Sequence, residues 1–130
     1  MHPSPGSGAT PAQDFEAFLK TYPQVMATTD EDPAAIFDRY HVEDFVQIND
    51  GMSLHRQQLI DHAGPVRRNV ASCSVDVHKV VVKDELAAAH YTLHAVMRKG
   101  GAVTTEIYAF AAFAPDGRLQ HIHQITRSLT

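Results

Sequence analysis

The chain has 130 residues, 44% of them apolar and 20% charged, with a formal net charge of -4. That length suits one domain with its own core, and the excess of acid argues against a phosphate-neutralising surface, so nucleic acid is not an expected partner. The lone cysteine, Cys73, excludes an intrachain disulfide and fits a reducing compartment.

Residues 1–10 (MHPSPGSGAT) lack the basic start and apolar stretch of a secretory signal, and their Pro/Gly/Ser composition reads as a disordered tail ahead of a single domain over 11–130. No apolar run approaches the ~20 residues that a membrane helix needs, so no membrane partner is expected and a cytoplasmic protein is the simplest reading. Thr10-Pro11 looks like an N-cap followed by proline at the first helical position. Phe15, Phe18, Leu19, Tyr22 and Met26 then recur at helical spacing, with Pro23 expected to kink or restart the helix. Asp32-Pro33 repeats the start signal, and Ile36, Phe37 and Tyr40 supply the buried side of a short second helix.

Between Glu43 and Asp50 the pattern alternates, with Phe45, Gln47 and Asn49 on one face of a short strand that ends in an Asn-Asp-Gly turn. Ser53 is placed to cap a third helix carrying His55, Leu59, His62, Ala63 and Val66 on one face, its later turns distorted by Gly64-Pro65. Four strand-like runs follow, at 74–83, 86–98, 102–114 and 118–129, joined by Asp84-Glu85, Lys99-Gly100-Gly101 and Pro115-Asp116-Gly117. Turns this short between long strands demand antiparallel neighbours. Helices followed by a meander predict an α+β domain in which one helical layer covers a sheet and leaves a hollow beneath it.

The order of elements resembles the SnoaL-like branch of the nuclear transport factor 2-like superfamily over roughly residues 12–129. The points of similarity are Phe45-Val46-Gln47 through Asp50-Gly51, the helix with His62, the strands with His90 and Glu106, and Asp116-Gly117-Arg118-Leu119, which is similar to the family's "DGKI" turn into the last strand. The resemblance implies a cone-shaped fold in which three N-terminal helices pack on a curved, mainly antiparallel sheet around an open-ended cavity. Such relatives include polyketide cyclases, ketosteroid isomerases, scytalone dehydratases, limonene epoxide hydrolases and non-catalytic binding modules, so the fold locates a site and leaves its chemistry open. Two departures bear on that chemistry. Where cyclases and isomerases carry a cavity aspartate, this chain has Gln124 and Thr126; and although Asn49 matches the epoxide hydrolases, their aspartate–arginine–aspartate set is absent near His90, Thr92 and Gln124.

Polar side chains on a sheet face that covers a core need partners or a ligand. Strand parity groups Glu106 with Tyr108 and Phe110, His90 with Thr92 and His94, and Gln124 with Ile122 and Thr126, and all three sets are expected on the cavity side. His62 and His90 are then candidate proton-transfer residues, because imidazole titrates near neutrality, with Glu106 orienting one of them. Gln47, Asn49, Tyr108 and Gln124 are candidate ligand-binding residues, and Tyr22 and Tyr40 are read as core. His121 and His123 share the opposite face without a third ligand at a suggestive spacing, so they are read as part of a homodimer interface on the outer sheet face. No metal site and no cofactor is implied. The expected function is isomerase-, cyclase- or dehydratase-type proton transfer on a small apolar molecule, with a non-catalytic binding module as the alternative.

Overall fold

The computed structural model describes residues 9–130, and most of the tail expected over residues 1–10 lies outside them. Ten elements follow one another in the chain: α1 (Phe15–Thr28), α2 (Pro33–Tyr40), β1 (His41–Asn49), β2 (Met52–His55), α3 (Arg56–Asp61), α4 (Ala63–Asn69), β3 (Val70–Lys83), β4 (Leu86–Met97), β5 (Ala102–Phe113) and β6 (Leu119–Ser128). One six-stranded sheet runs in the order β2-β1-β6-β5-β4-β3. The β1–β6 pair is parallel and the remaining pairs are antiparallel. Helices cover one face of this mixed sheet.

The first helix starts later than Thr10-Pro11 suggests. Asp14 is its cap, with Oδ1 accepting the backbone N–H of Ala17 at 3.0 Å. Thr10 and Gln13 satisfy each other instead: Gln13 Oε1 accepts from the Thr10 amide and Thr10 Oγ1 from the Gln13 amide. Pro23 lies inside α1 without ending it. Ser53 caps no helix; it belongs to β2, which the short Met52–His55 segment forms by folding back on β1. Asp50 and Gly51, both at positive φ (51° and 86°), make the tight turn between them. The third helix is in two pieces that meet at His62, where Gly64-Pro65 follows.

Phe15, Phe18 and Leu19 of α1 and Ile36, Phe37 and Tyr40 of α2 form the helical side of the core. Opposite them the sheet presents Tyr91, Ile107, Phe113, Leu119 and Ile122 together with four alanines, Ala87, Ala89, Ala109 and Ala111. Small residues on the concave face leave space that the helices do not fill. Register shifts at Val77–Lys79 and at Ala112–Phe113 interrupt the ladders, and bulges of this kind bend and twist strands.

The expected phase of two strands is reversed. On β5 it is Ile107, Ala109 and Ala111 that are buried, while Tyr108 and Phe110 are 51% and 72% exposed on the outer face with Glu106. On β4 the inner set is Tyr91, Leu93 and Ala95, so His90, Thr92 and His94 also lie outside the cavity. On β4 the reason is polarity, since its apolar side chains take the covered face; on β5 it is bulk. The concave face needs small residues beneath the helices, and the large aromatics of β5 sit on the uncovered face.

Candidate functional site

A cavity of about 370 Å³ lies between α1, the α3–α4 segment and the inner face of the sheet. Phe15, Phe18, Leu19 and Met26 line it from α1, and Leu93, Ala95, Ile107 and Ala109 from the sheet. Its polar groups are few: Tyr22, His41, Gln47, His62, Cys73, Tyr91 and Gln124. No aspartate, glutamate, lysine or arginine is among the lining residues. Burial pushes the phenols of Tyr22 and Tyr91 up, so both remain protonated donors, and it also pushes the Cys73 thiol up, which keeps that thiol from acting as a thiolate.

His41 occupies the seam between α2 and β1 and is only 3% exposed. Both its backbone N–H and its ring turn back on the Phe37 carbonyl, the ring through Nδ1 at 2.9 Å. The imidazole stacks on Phe37 with centroids 4.1 Å apart and meets the edges of Phe45 and Tyr22 at 4.6 and 5.0 Å. Burial in this aromatic box lowers the pKa to about 4, against the opposing pull of the Phe37 carbonyl bond, so the ring is neutral at physiological pH. Arg118 fixes the seam from the far end of the chain: Nη1 donates to the carbonyls of Asp38 and His41 at 3.1 and 3.2 Å, while Nε binds Asp116. The Asp38 carboxylate takes two bonds from Arg56, at 2.9 and 2.7 Å, which hold it below its ordinary range.

Gln47 of β1, paired with Ile122, and Gln124 of β6, paired with Asn49, also line the cavity. Asn49 does not line it; its Oδ1 accepts from Gln124 Nε2 at 2.7 Å and so fixes which way the Gln124 amide points. Of His62, His90 and Glu106, only His62 reaches the cavity, and it does so as an exposed residue at the rim, not from a buried helix face. Asp50 is not among the lining residues and accepts from the backbone N–H and hydroxyl of Thr126.

His90 and Glu106 do meet, Nε2 to Oε2 at 2.8 Å, but on the outer face of the sheet. His90 lies flat on Tyr108 with centroids 4.3 Å apart, and Arg127 binds the other Glu106 oxygen at 2.7 Å. The His90 bond, then Arg127, hold the Glu106 carboxyl below its ordinary range. His78 lies beside His90 and bonds Thr92 Oγ1, and His94 bonds Asp76. The expected convergence of His62, His90 and Glu106 in one chamber is therefore corrected, as is the placing of Tyr108 among ligand-binding residues. Among the described residues, no group of three or more His, Cys, Asp or Glu side chains is arranged to hold a metal ion.

Sequence reasoning passed over His41 and Tyr91. A usable signal was present for the histidine: Phe37, His41 and Phe45 recur every four residues, one polar ring inside an aromatic series.

No protein-family profile matches the chain. An uncharacterised protein of Schizosaccharomyces pombe is 25% identical over 115 residues, covering 88% of this chain and 87% of that one. Among solved structures, IdmH, a proposed polyketide cyclase from Streptomyces antibioticus, superposes with a TM-score of 0.63 at 12% identity, covering 84% of this chain and 88% of that one. A proposed isomerase of the SnoaL-like family from Agrobacterium tumefaciens gives 0.57 at 7% identity, covering 82% and 92%. The chain has the SnoaL-like, nuclear transport factor 2-like fold. An NTF2-like protein of unknown function from Exiguobacterium shares it too, with a TM-score of 0.59 at 11% identity over 72% of this chain and 84% of that one. At such identities the SnoaL-like likeness concerns architecture, and the chemistry rests on this chain's own cavity.

Proposed function

We propose that this protein binds an uncharged, largely apolar small molecule in the cavity beneath α1. The observation that carries the proposal is the lining itself: a hollow of about 370 Å³ walled by aromatic and aliphatic side chains, with isolated polar groups and no charged residue. Pockets of ~300–1,000 Å³ with this balance are typical small-molecule sites, where apolar contact supplies affinity and a few polar atoms set orientation. An anionic ligand would lose its hydration without gaining a cation in return.

Native mass spectrometry of the protein purified from its own host tests this directly. A bound small molecule should be present on the wild type and absent from Ala109→Leu, which puts a larger side chain into the hollow. Identical spectra for the two proteins, with the same adduct or with none, would contradict it.

A second reading is proton-transfer catalysis of the isomerase, cyclase or dehydratase type. Two observations support it: His62 stands at the rim of the cavity, and the structural neighbours include a proposed cyclase and a proposed isomerase. In this reading His62 moves the proton and Gln47 and Gln124 hold the substrate's polar atoms. His62→Gln should then leave ligand affinity within about threefold and remove turnover; if turnover survives, His62 is not the proton carrier.

The outer face is proposed to pair with a second copy of the chain. Tyr108, Phe110, Ile125 and Val81 are exposed there, no helix among the described residues covers them, and the face carries both signs, Asp76 and Glu106 against Lys79 and Arg127. Such a surface is complementary to itself across a two-fold axis.

A further inference from the structure

We propose that the bare Nε2 of His41 is the polar anchor of the cavity and selects ligands that carry a hydroxyl or N–H group. The inference rests on the cavity-binding reading above and adds the chemical class of the ligand. A carbonyl oxygen has no hydrogen to give, so in the 2.9 Å contact with Phe37 it is His41 Nδ1 that donates. A neutral imidazole has one N–H only. Nε2 is therefore a lone-pair acceptor, and it has no hydrogen-bond partner among the described residues while the ring lines the cavity.

The ring cannot turn to present a different edge. Flipping it would break the Nδ1 bond, and Phe37 stacked on one face with Phe45, Tyr22 and Phe18 in edge contact hold the ring in place. Protonation, which would convert Nε2 to a donor suited to an anion or a carbonyl, is opposed by the same burial. A donor on a ligand would give this acceptor the hydrogen-bond partner that the described residues do not supply. Tyr22 lines the cavity beside His41, so an acceptor and a protonated phenol stand together, a pairing that matches a hydroxyl, which both donates and accepts.

This role differs from that of a general base. A ring held neutral down to about pH 4 is a poor proton acceptor at neutrality, so His41 holds and orients the ligand.

The test compares naphthalene with 2-naphthol, two neutral probes that differ by one hydroxyl, titrated calorimetrically into the wild type and His41→Phe. The wild type should bind 2-naphthol about tenfold tighter than naphthalene, a preference worth one hydrogen bond. In His41→Phe that preference should disappear, with naphthalene affinity held within about threefold. Should the variant fail to fold, the ¹⁵N resonance of His41 Nε2 in the wild type gives the answer, moving on addition of 2-naphthol and staying still with naphthalene. Equal affinities in the wild type, or an unmoved Nε2 resonance, would overturn the anchor while leaving the cavity reading in place. Absence of binding by either probe would instead overturn the cavity reading, and the anchor with it.

Discussion

The ring of His41 is joined to Phe37 twice, by a stacked contact at 4.1 Å and by the Nδ1 hydrogen bond to the Phe37 carbonyl at 2.9 Å. The first contact belongs to the core and the second fixes a tautomer, so one residue ties the packing of α2 to the polarity of the cavity.

The first consequence concerns acid stability. His41 titrates at about 4 in the folded chain, below its ordinary 6.5, because the charged form is not tolerated in its aromatic box. The unfolded chain therefore takes up the proton first as pH falls, and stability from this residue is complete above pH 6.5 and lost progressively toward pH 4. The loss is on the order of 3 kcal/mol at ~1.4 kcal/mol per pH unit. Urea titrations at pH 7 and pH 4 should show the wild type losing about that much more than His41→Phe. Equal losses in the two proteins would show that His41 is not the residue responsible.

Arg118 makes a second prediction. Its guanidinium gathers the carbonyls of Asp38 and His41 and the carboxylate of Asp116, joining the last turn of the chain to the α2–β1 seam. Arg118→Ala should cost about 1–3 kcal/mol in urea denaturation, because two half-buried carbonyls lose a charged donor. Arg118→Lys should recover only part of that, since a single ammonium cannot reproduce the fork.

A third prediction separates the two faces of the sheet. His90→Gln and Glu106→Gln change the outer cluster, so each should leave the affinity of a cavity ligand within about twofold of the wild type, as measured by calorimetry. Ala109→Leu, on the inner face of the same strand as Glu106, should weaken it by about tenfold or more. Loss of ligand binding in Glu106→Gln would return the acid to the site.

Sedimentation velocity tests the outer face itself. Phe110 is 72% exposed in its centre, beside Ile125 and Tyr108. Phe110→Glu should shift a dimer to monomer at micromolar concentration without changing thermal stability of the fold. A wild type that sediments as a monomer would show that this face does not pair with a second copy.

The order of elements was legible because helical stripes such as Phe15–Phe18–Leu19 and the turn at Pro115-Asp116-Gly117 are local signals. The parallel pairing of β1 with β6 is a long-range fact that no local pattern announces; the element order predicted the layers and the resemblance added the cone shape. Strand phase was readable on β6, where Ile122 and Gln124 face the cavity and His121 and His123 do not. It was misleading on β5, where the large Tyr108 and Phe110 are exposed and the small Ala109 and Ala111 are buried. That one inversion carried Glu106 to the wrong side. On β4, Tyr91, Leu93 and Ala95 already marked the inner face, and the search for polar cavity residues drew attention to His90 instead. His41 escaped notice because it opens β1 just where the helical stripe of α2 ends, so its place in the Phe37–His41–Phe45 series crosses an element boundary.

Ligand uptake by the hollow beneath α1 is what every proposed role of the cavity depends on. Methyl-labelled wild-type protein titrated with 2-naphthol, followed by two-dimensional NMR, asks this with residue resolution. Saturable shifts are expected at Leu19, Met26, Leu93, Ile107 and Ile122, which line the cavity or back onto it, with Val81, Leu86 and Ile125 on the outer face unmoved. Shifts confined to the outer-face methyls, or none at any concentration, would contradict it.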